Sequence, residues 1–151
     1  MDNSIPRDQF RQFFEIWSSM EKLYDQYARS VGLTYSSLSI LEIIYDTPVN
    51  CTQKLICEEM HYPKQSVNLI IKSFLEQGYI EMKEIKSDRR NKALRLSKSG
   101  RVYADKVIGN LTRAEDAAIE GLTSEERQTF IEIMRKMEHG FREKIELECA
   151  P

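Results

Sequence analysis

Lys64, Gln65, Asn68, Leu69 and Lys72 fall on one side of a helical wheel drawn from Lys64 to Gln77. Val67, Ile70, Ile71, Phe74 and Leu75 fill the opposite arc, the division expected when positions three and four apart share a face. Ammonium and carboxamide groups at this spacing have an obvious chemistry. The major groove of duplex DNA admits an α-helix, and its base edges offer the matching donors and acceptors. Gln65 and Asn68 can each pair bidentately with adenine. Lys64 can meet guanine or a phosphate, Lys72 suits a phosphate, and Ser66 at the margin of the face can reach the nucleic-acid backbone. Leu69 is an apolar residue on a polar face, where it can meet a thymine methyl.

A second cluster follows. Between Lys83 and Arg101 there are eight Lys/Arg, at 83, 86, 89, 90, 92, 95, 98 and 101, against Glu84 and Asp88, a net +6. The chain totals −2, so the other 132 residues sum to −8. Attraction at one surface with repulsion elsewhere is the charge distribution of a DNA reader. Arg89 and Arg90 project from a polar turn, with Lys92 just beyond it. Arginines at such a tip suit a narrow minor groove, whose potential is more negative. Asp88 is close enough in sequence to pair with Arg90 and hold its guanidinium in one orientation.

Other chemistries lack their residues. There is no glycine-rich phosphate loop, nucleophile elbow or HExxH, and neither His61 nor His139 stands beside a plausible nucleophile. Catalysis is therefore not expected, nor is a cofactor or metal. Cys51, Cys57 and Cys149 are odd in number and lack CxxC spacing, which argues for reduced thiols. Short apolar runs exclude a membrane span, and MDNSIPRDQF has no secretory apolar core. A soluble cytoplasmic protein is expected.

The elements that must position these groups are mostly helical. Phe10, Phe13, Trp17, Met20, Tyr24 and Tyr27 form a three-four stripe within a helix from Gln9 to about Ser30. Phe130, Met134, Met137, Phe141 and Ile145 repeat it near the other end, after a Thr123/Glu126 capping box. Two such stripes predict packing against a second copy. Between them lies a helix at about 35–45, stopped by Pro48. Thr52 caps a short helix to about Glu59, with Leu55 and Ile56 inward and Cys57 as a small core residue. His61-Tyr62 makes a turn, Pro63 takes the first helical position, and Gly78 closes the next helix. Tyr79–Lys86 and Asn91–Leu96 read as antiparallel strands. Ser97 begins another long helix, fading at Gly121. The expected fold is mostly α with a small β-wing. Residues 33–97 form a winged helix-turn-helix domain, and 1–32 with 98–151 form a helical dimerisation region.

The run Thr52-Gln53-Lys54-Leu55, the helix PKQSVNLIIKSFLEQGYI, the Asp88-x-Arg90 pair, Leu94-Arg95-Leu96-Ser97 and Gly100-Arg101 together resemble the MarR family of winged-helix transcriptional regulators. The resemblance covers most of the chain. It implies a homodimer on a pseudo-palindromic operator, with the wing Asp–Arg pair at the minor groove, and a repressor released by a small-molecule effector. Two departures stand out: Pro63 replaces the usual polar cap, and Met82 takes a place that is basic in many members. Family members commonly answer small aromatic acids or oxidants. Trp17, Met20, Tyr24, Tyr35 and Tyr45 are the candidate effector pocket. The redox subset carries a Cys near the start of the first helix, which this chain lacks. Cys51 precedes a helix cap, where a dipole could lower its pKa. Two alternatives therefore stay open beside the operator-binding reading: a winged-helix module that binds an acidic protein partner, and a thiol-based redox sensor.

Overall fold

The computed structural model describes residues 4–85 and 88–149, with side chains placed at 6–85 and 91–149. Six helices and one two-stranded sheet follow in order: α1 (Ser4–Ser30), α2 (Tyr35–Asp46), α3 (Gln53–Met60), α4 (Lys64–Glu76), β1 (Ile80–Ile85), β2 (Asp88–Leu96), α5 (Lys98–Glu120) and α6 (Ser124–Glu148). This is the mostly helical, winged helix-turn-helix architecture that the periodicities predict. The chain divides into two compact units, residues 1–110 and 111–151.

In the first unit, caps set the boundaries. Thr34 and Thr52 stand before α2 and α3, and each hydroxyl accepts from a backbone N–H three residues on, Ser37 and Leu55, at 3.1 Å. Such a bond satisfies one of the four orphan donors at a helix start. Pro63 takes a different place from the one expected. Its φ of −57° and ψ of 137° make it the cap of α4 and not its first residue. Its extended ψ lets its carbonyl accept the first helical bond from Val67, while its ring offers no capping oxygen. Gly78, at φ +72°, ends the helix in the left-handed region.

Leu38, Leu41 and Ile44 of α2, Ile56 of α3, Val67, Ile71 and Phe74 of α4, and Leu94 of β2 are the buried centre of this unit. β1 and β2 pair antiparallel from Ile80↔Leu96 to Glu84↔Lys92, and the register then jumps to Ile85↔Asp88. Arg89, Arg90 and Asn91 consequently lie in the irregular part of β2, which starts three residues before the expected Asn91. The wing is anchored at its base. The Leu94 N–H donates to the Cys51 carbonyl at 2.7 Å, and Thr52 bridges to Ala93.

A knot of short hydrogen bonds joins wing, α4 and α5. The Ser97 hydroxyl donates to the Gly78 carbonyl at 2.6 Å and accepts from the Gly100 N–H at 2.9 Å. The Ser97 N–H donates to the Tyr79 carbonyl at 2.9 Å. A Cβ at position 100 would stand 1.7 Å from that same carbonyl oxygen, so only glycine fits there.

The second unit holds the end of α5, a turn and α6. The Thr123 hydroxyl accepts from the Glu126 N–H while the Glu126 carboxylate accepts from the Thr123 N–H, the expected capping box. The Thr123 N–H first, and then the Thr123 hydroxyl, hold the Glu126 carboxyl below its usual range. Arg127 donates to the Leu122 carbonyl at 2.7 Å, tying α6 to the turn. No residue of α6 is buried.

Candidate nucleic-acid interface

Burying Val67, Ile71 and Phe74 fixes the rotation of α4 about its axis, and that rotation decides what faces out. Lys64, Gln65, Ser66, Asn68, Leu69 and Lys72 are all exposed, Leu69 to 68%. Lys72 pairs loosely with Glu76 at 3.8 Å, both side chains mostly exposed, an arrangement that a phosphate can compete with. The start of α4 is held from α3, because the Gln53 side-chain amide donates to the Lys64 carbonyl at 3.2 Å.

Beside this face lies a groove of about 620 Å³, and the ammonium-bearing residues Lys54, Lys64 and Lys92 line it with Gln53 and Asn91. It brings together α3, the start of α4 and both strands of the wing, Met82 from β1 and Asn91, Lys92 and Leu94 from β2. Glu58 also lines it and pairs loosely with Lys54 at 3.7 Å, both side chains exposed. Three cations against one carboxylate, with two carboxamides, leave a concave surface that suits a strand of phosphates. Sequence reasoning did not place Gln53 and Lys54 in this groove. Their signal was present in the Thr52 cap, since residues just inside a helix start present backbone N–H groups toward an anion. The side chains of Asp88, Arg89 and Arg90, with Lys86 and Ser87 entire, lie outside the described residues, so the wing-tip pairing stays an expectation.

The thiols depart from two expectations. Cys51 is fully buried, and burial, then the Glu59 charge, pushes its thiol up to about 11. A neutral, desolvated thiol is a poor nucleophile, the reverse of a dipole-activated one. Cys57 is half-buried on the wall of the lysine groove, whereas the core position belongs to Cys51. The cause is β2, whose bond to the Cys51 carbonyl folds that loop residue under the wing. Among the described residues no cluster of three His, Cys, Asp or Glu could hold a metal ion, and no helix is long and apolar enough to cross a membrane.

Residues 31–91 match the model of the MarR family. YwhA of Bacillus subtilis (strain 168), named an uncharacterized HTH-type transcriptional regulator, is 35% identical over 98 residues, 65% of this chain and 70% of that protein. The chain belongs to the MarR family. Solved structures agree on the fold. NMB1585, a MarR family regulator from Neisseria meningitidis, superposes with a TM-score of 0.76 at 23% identity, covering 93% of this chain and 98% of that one. MepR of S. aureus, solved as a MepR–DNA complex, gives 0.69 at 19% identity, covering 86% and 96%. Family membership places the chain among transcriptional regulators and not among enzymes.

For this MarR family chain the five candidate effector residues make different contacts. Tyr24 and Tyr35 approach each other, with ring centroids 6.2 Å apart. A shallow hollow beside them is lined by Ser18, Glu21, Lys22, Asp25 and Tyr35. Trp17 meets Phe13 along α1 at 6.2 Å, and Met20 is exposed. Tyr45 is engaged elsewhere, its ring beneath the Arg101 guanidinium at 4.8 Å. A hydrogen bond to the Asp105 carboxylate raises its phenol pKa, with burial adding to the effect.

Proposed function

We propose that this MarR family regulator binds a pseudo-palindromic DNA operator as a homodimer and represses until a small aromatic effector releases it. The observation that carries the DNA reading is the outward face of α4. Every polar residue expected to touch DNA there is exposed, on a helix whose other face is locked into the core. In this reading α4 enters the major groove, with Gln65 and Asn68 on base edges. Lys54, Lys64 and Lys92 line the path of one phosphate strand. The wing-tip Arg89 and Arg90, oriented by Asp88, reach the adjacent minor groove.

Dimerisation is supported by apolar surface that each unit leaves uncovered. On α1, Phe14 is 58% and Leu23 62% exposed, and on α6, Phe141 is 62% and Leu147 70% exposed. Rows of large apolar residues on long helices mark association surfaces. The effector reading rests on Tyr24 and Tyr35, whose rings can face a planar guest beside the hollow near α1.

The test is titration of the protein into genomic duplex recovered by selection, at several salt concentrations. Several phosphate contacts per dimer imply a log–log slope of magnitude about five or more, at about 0.9 per neutralised phosphate. A flat dependence would favour the acidic-protein partner instead. Phenolic compounds screened for release of the bound fragment, with a reporter driven by it, would test the effector and the sign of regulation.

A further inference from the structure

Three tyrosines link the end of α1 to the turn between α4 and β1. The Tyr79 and Tyr103 rings lie parallel, 4.3 Å between centroids and 3° between planes. The Tyr103 hydroxyl donates to the Val31 carbonyl, just beyond α1, at 3.4 Å. The Tyr27 hydroxyl, in the last turns of α1, donates to the Val107 carbonyl of α5 at 2.6 Å. Burial raises the Tyr103 phenol pKa, with Tyr79 and Tyr27 contributing.

The backbone of Tyr79 is held on every side. Its N–H donates to the Phe74 carbonyl at 2.9 Å and its carbonyl accepts from Ser97 at 2.9 Å. The same carbonyl abuts Gly100, so closely that a side chain is excluded. Tyr79 therefore carries α4 and the wing base together, and its ring is clamped on α5. A shift of the α1 end relative to α5 must break the Tyr27 bond or drag the Tyr103 ring. Movement of the Tyr103 ring reaches Tyr79 through the stack, and the bond from Tyr27, whose phenol also acts on that of Tyr103, holds the same two helices.

We propose that Tyr27, Tyr103 and Tyr79 are positioning residues that fix where the recognition helix stands relative to α1. They touch no DNA in the operator-binding reading, and the proposal rests on that reading only for its effect on operator choice. Coupling of this kind needs evidence of communication, not of proximity. The experiment is hydrogen exchange by mass spectrometry on the full chain. Tyr79→Leu should speed exchange at residues 27–33 by about ten-fold, the upper end of what a stacked aromatic pair contributes. Residues 38–44 in the core should be unchanged, and Tyr79→Phe should restore wild-type exchange. An equal rise in all segments, or no rise at 27–33, overturns the proposal. Should Tyr79→Leu fail to fold, Tyr27→Phe probes the same path from its other end and should speed exchange at 79–83, with no change there overturning it. On a selected operator, Tyr79→Leu should also tolerate one inserted base pair between half-sites better than the unaltered protein. An equal penalty for the insertion in both proteins counts against the proposal. Absence of DNA binding by the unaltered protein would refute the functional reading alone and leave the exchange result to decide this one.

Discussion

Asn68 and Lys54 are both exposed and polar, yet removing each should have a different effect. Asn68 lies on the exposed face of α4 that we propose meets base edges, so Asn68→Ala should relax one position in each half-site by about 1–3 kcal/mol. Lys54 lines the groove assigned to phosphates, so Lys54→Ala should weaken all sequences alike and lower the salt slope by about 1 for each phosphate no longer neutralised. Binding across single-base operator variants at two salt concentrations separates the two. Equal weakening by Asn68→Ala at every position would displace it from the reading face. Cys51 allows a prediction in pH. Its thiol ionises near 9.0 when unconstrained and about 11 when folded, so the unfolded chain loses its proton first. The contribution to stability is complete below about pH 9 and falls as pH rises toward 11. Urea unfolding between about pH 8 and 10.5 should show this decline, and Cys51→Ala should reduce it. Tyr45 and Tyr103, whose phenols are also raised, add a decline of the same sign that survives the substitution. Iodoacetamide should label the exposed Cys149 well before the buried Cys51.

Between α3 and α4 the chain turns through His61, a non-glycine residue at φ 52° and ψ 31°. The left-handed region costs an L-residue about 1–2 kcal/mol, partly offset by the extra freedom glycine has when unfolded. His61→Gly should therefore raise stability by about 0.5–1 kcal/mol in denaturant titration, with DNA affinity retained; a fall in stability would mean that the imidazole contributes more than its backbone costs. Element by element, what is legible in the sequence is local. Thr52, Thr123 and Gly78 announce their helix ends because capping needs only residues three positions apart. The apolar stripe of α1 begins at Phe10, which hides the helix's start at Ser4. The start of β2 is hidden too, because Asp88, Arg89 and Arg90 look like a turn, whereas their backbone pairs irregularly as strand. Pairings between distant segments leave no trace. Nothing near Cys51 tells that Leu94 will draw it inward, and nothing near Lys54 tells that Lys92 will face the same groove.

At the scale of the molecule, α6 has no buried residue while Phe130, Phe141 and Ile145 stand exposed along it. A helix with so much uncovered apolar surface has little to hold it without a partner. Removing the residues after Glu138 should convert dimers to monomers or aggregates in light scattering. The melting temperature of the intact protein should rise with concentration, since assembly stabilises only the folded form. A concentration-independent, well-folded monomer would remove the homodimer from the proposed function.

Gly100 carries a demand out of proportion to its size. Its missing side chain leaves room for the Tyr79 carbonyl, whereas a Cβ on Gly140 would meet nothing within 4 Å. In a saturation library scored only for folded protein, position 100 should accept glycine and reject even alanine, while position 140 should tolerate most residues. The narrowest passage through this chain's sequence space then lies at a residue with no functional group at all. A single methyl there would force the Tyr79 backbone, and with it the start of the wing, away from α5.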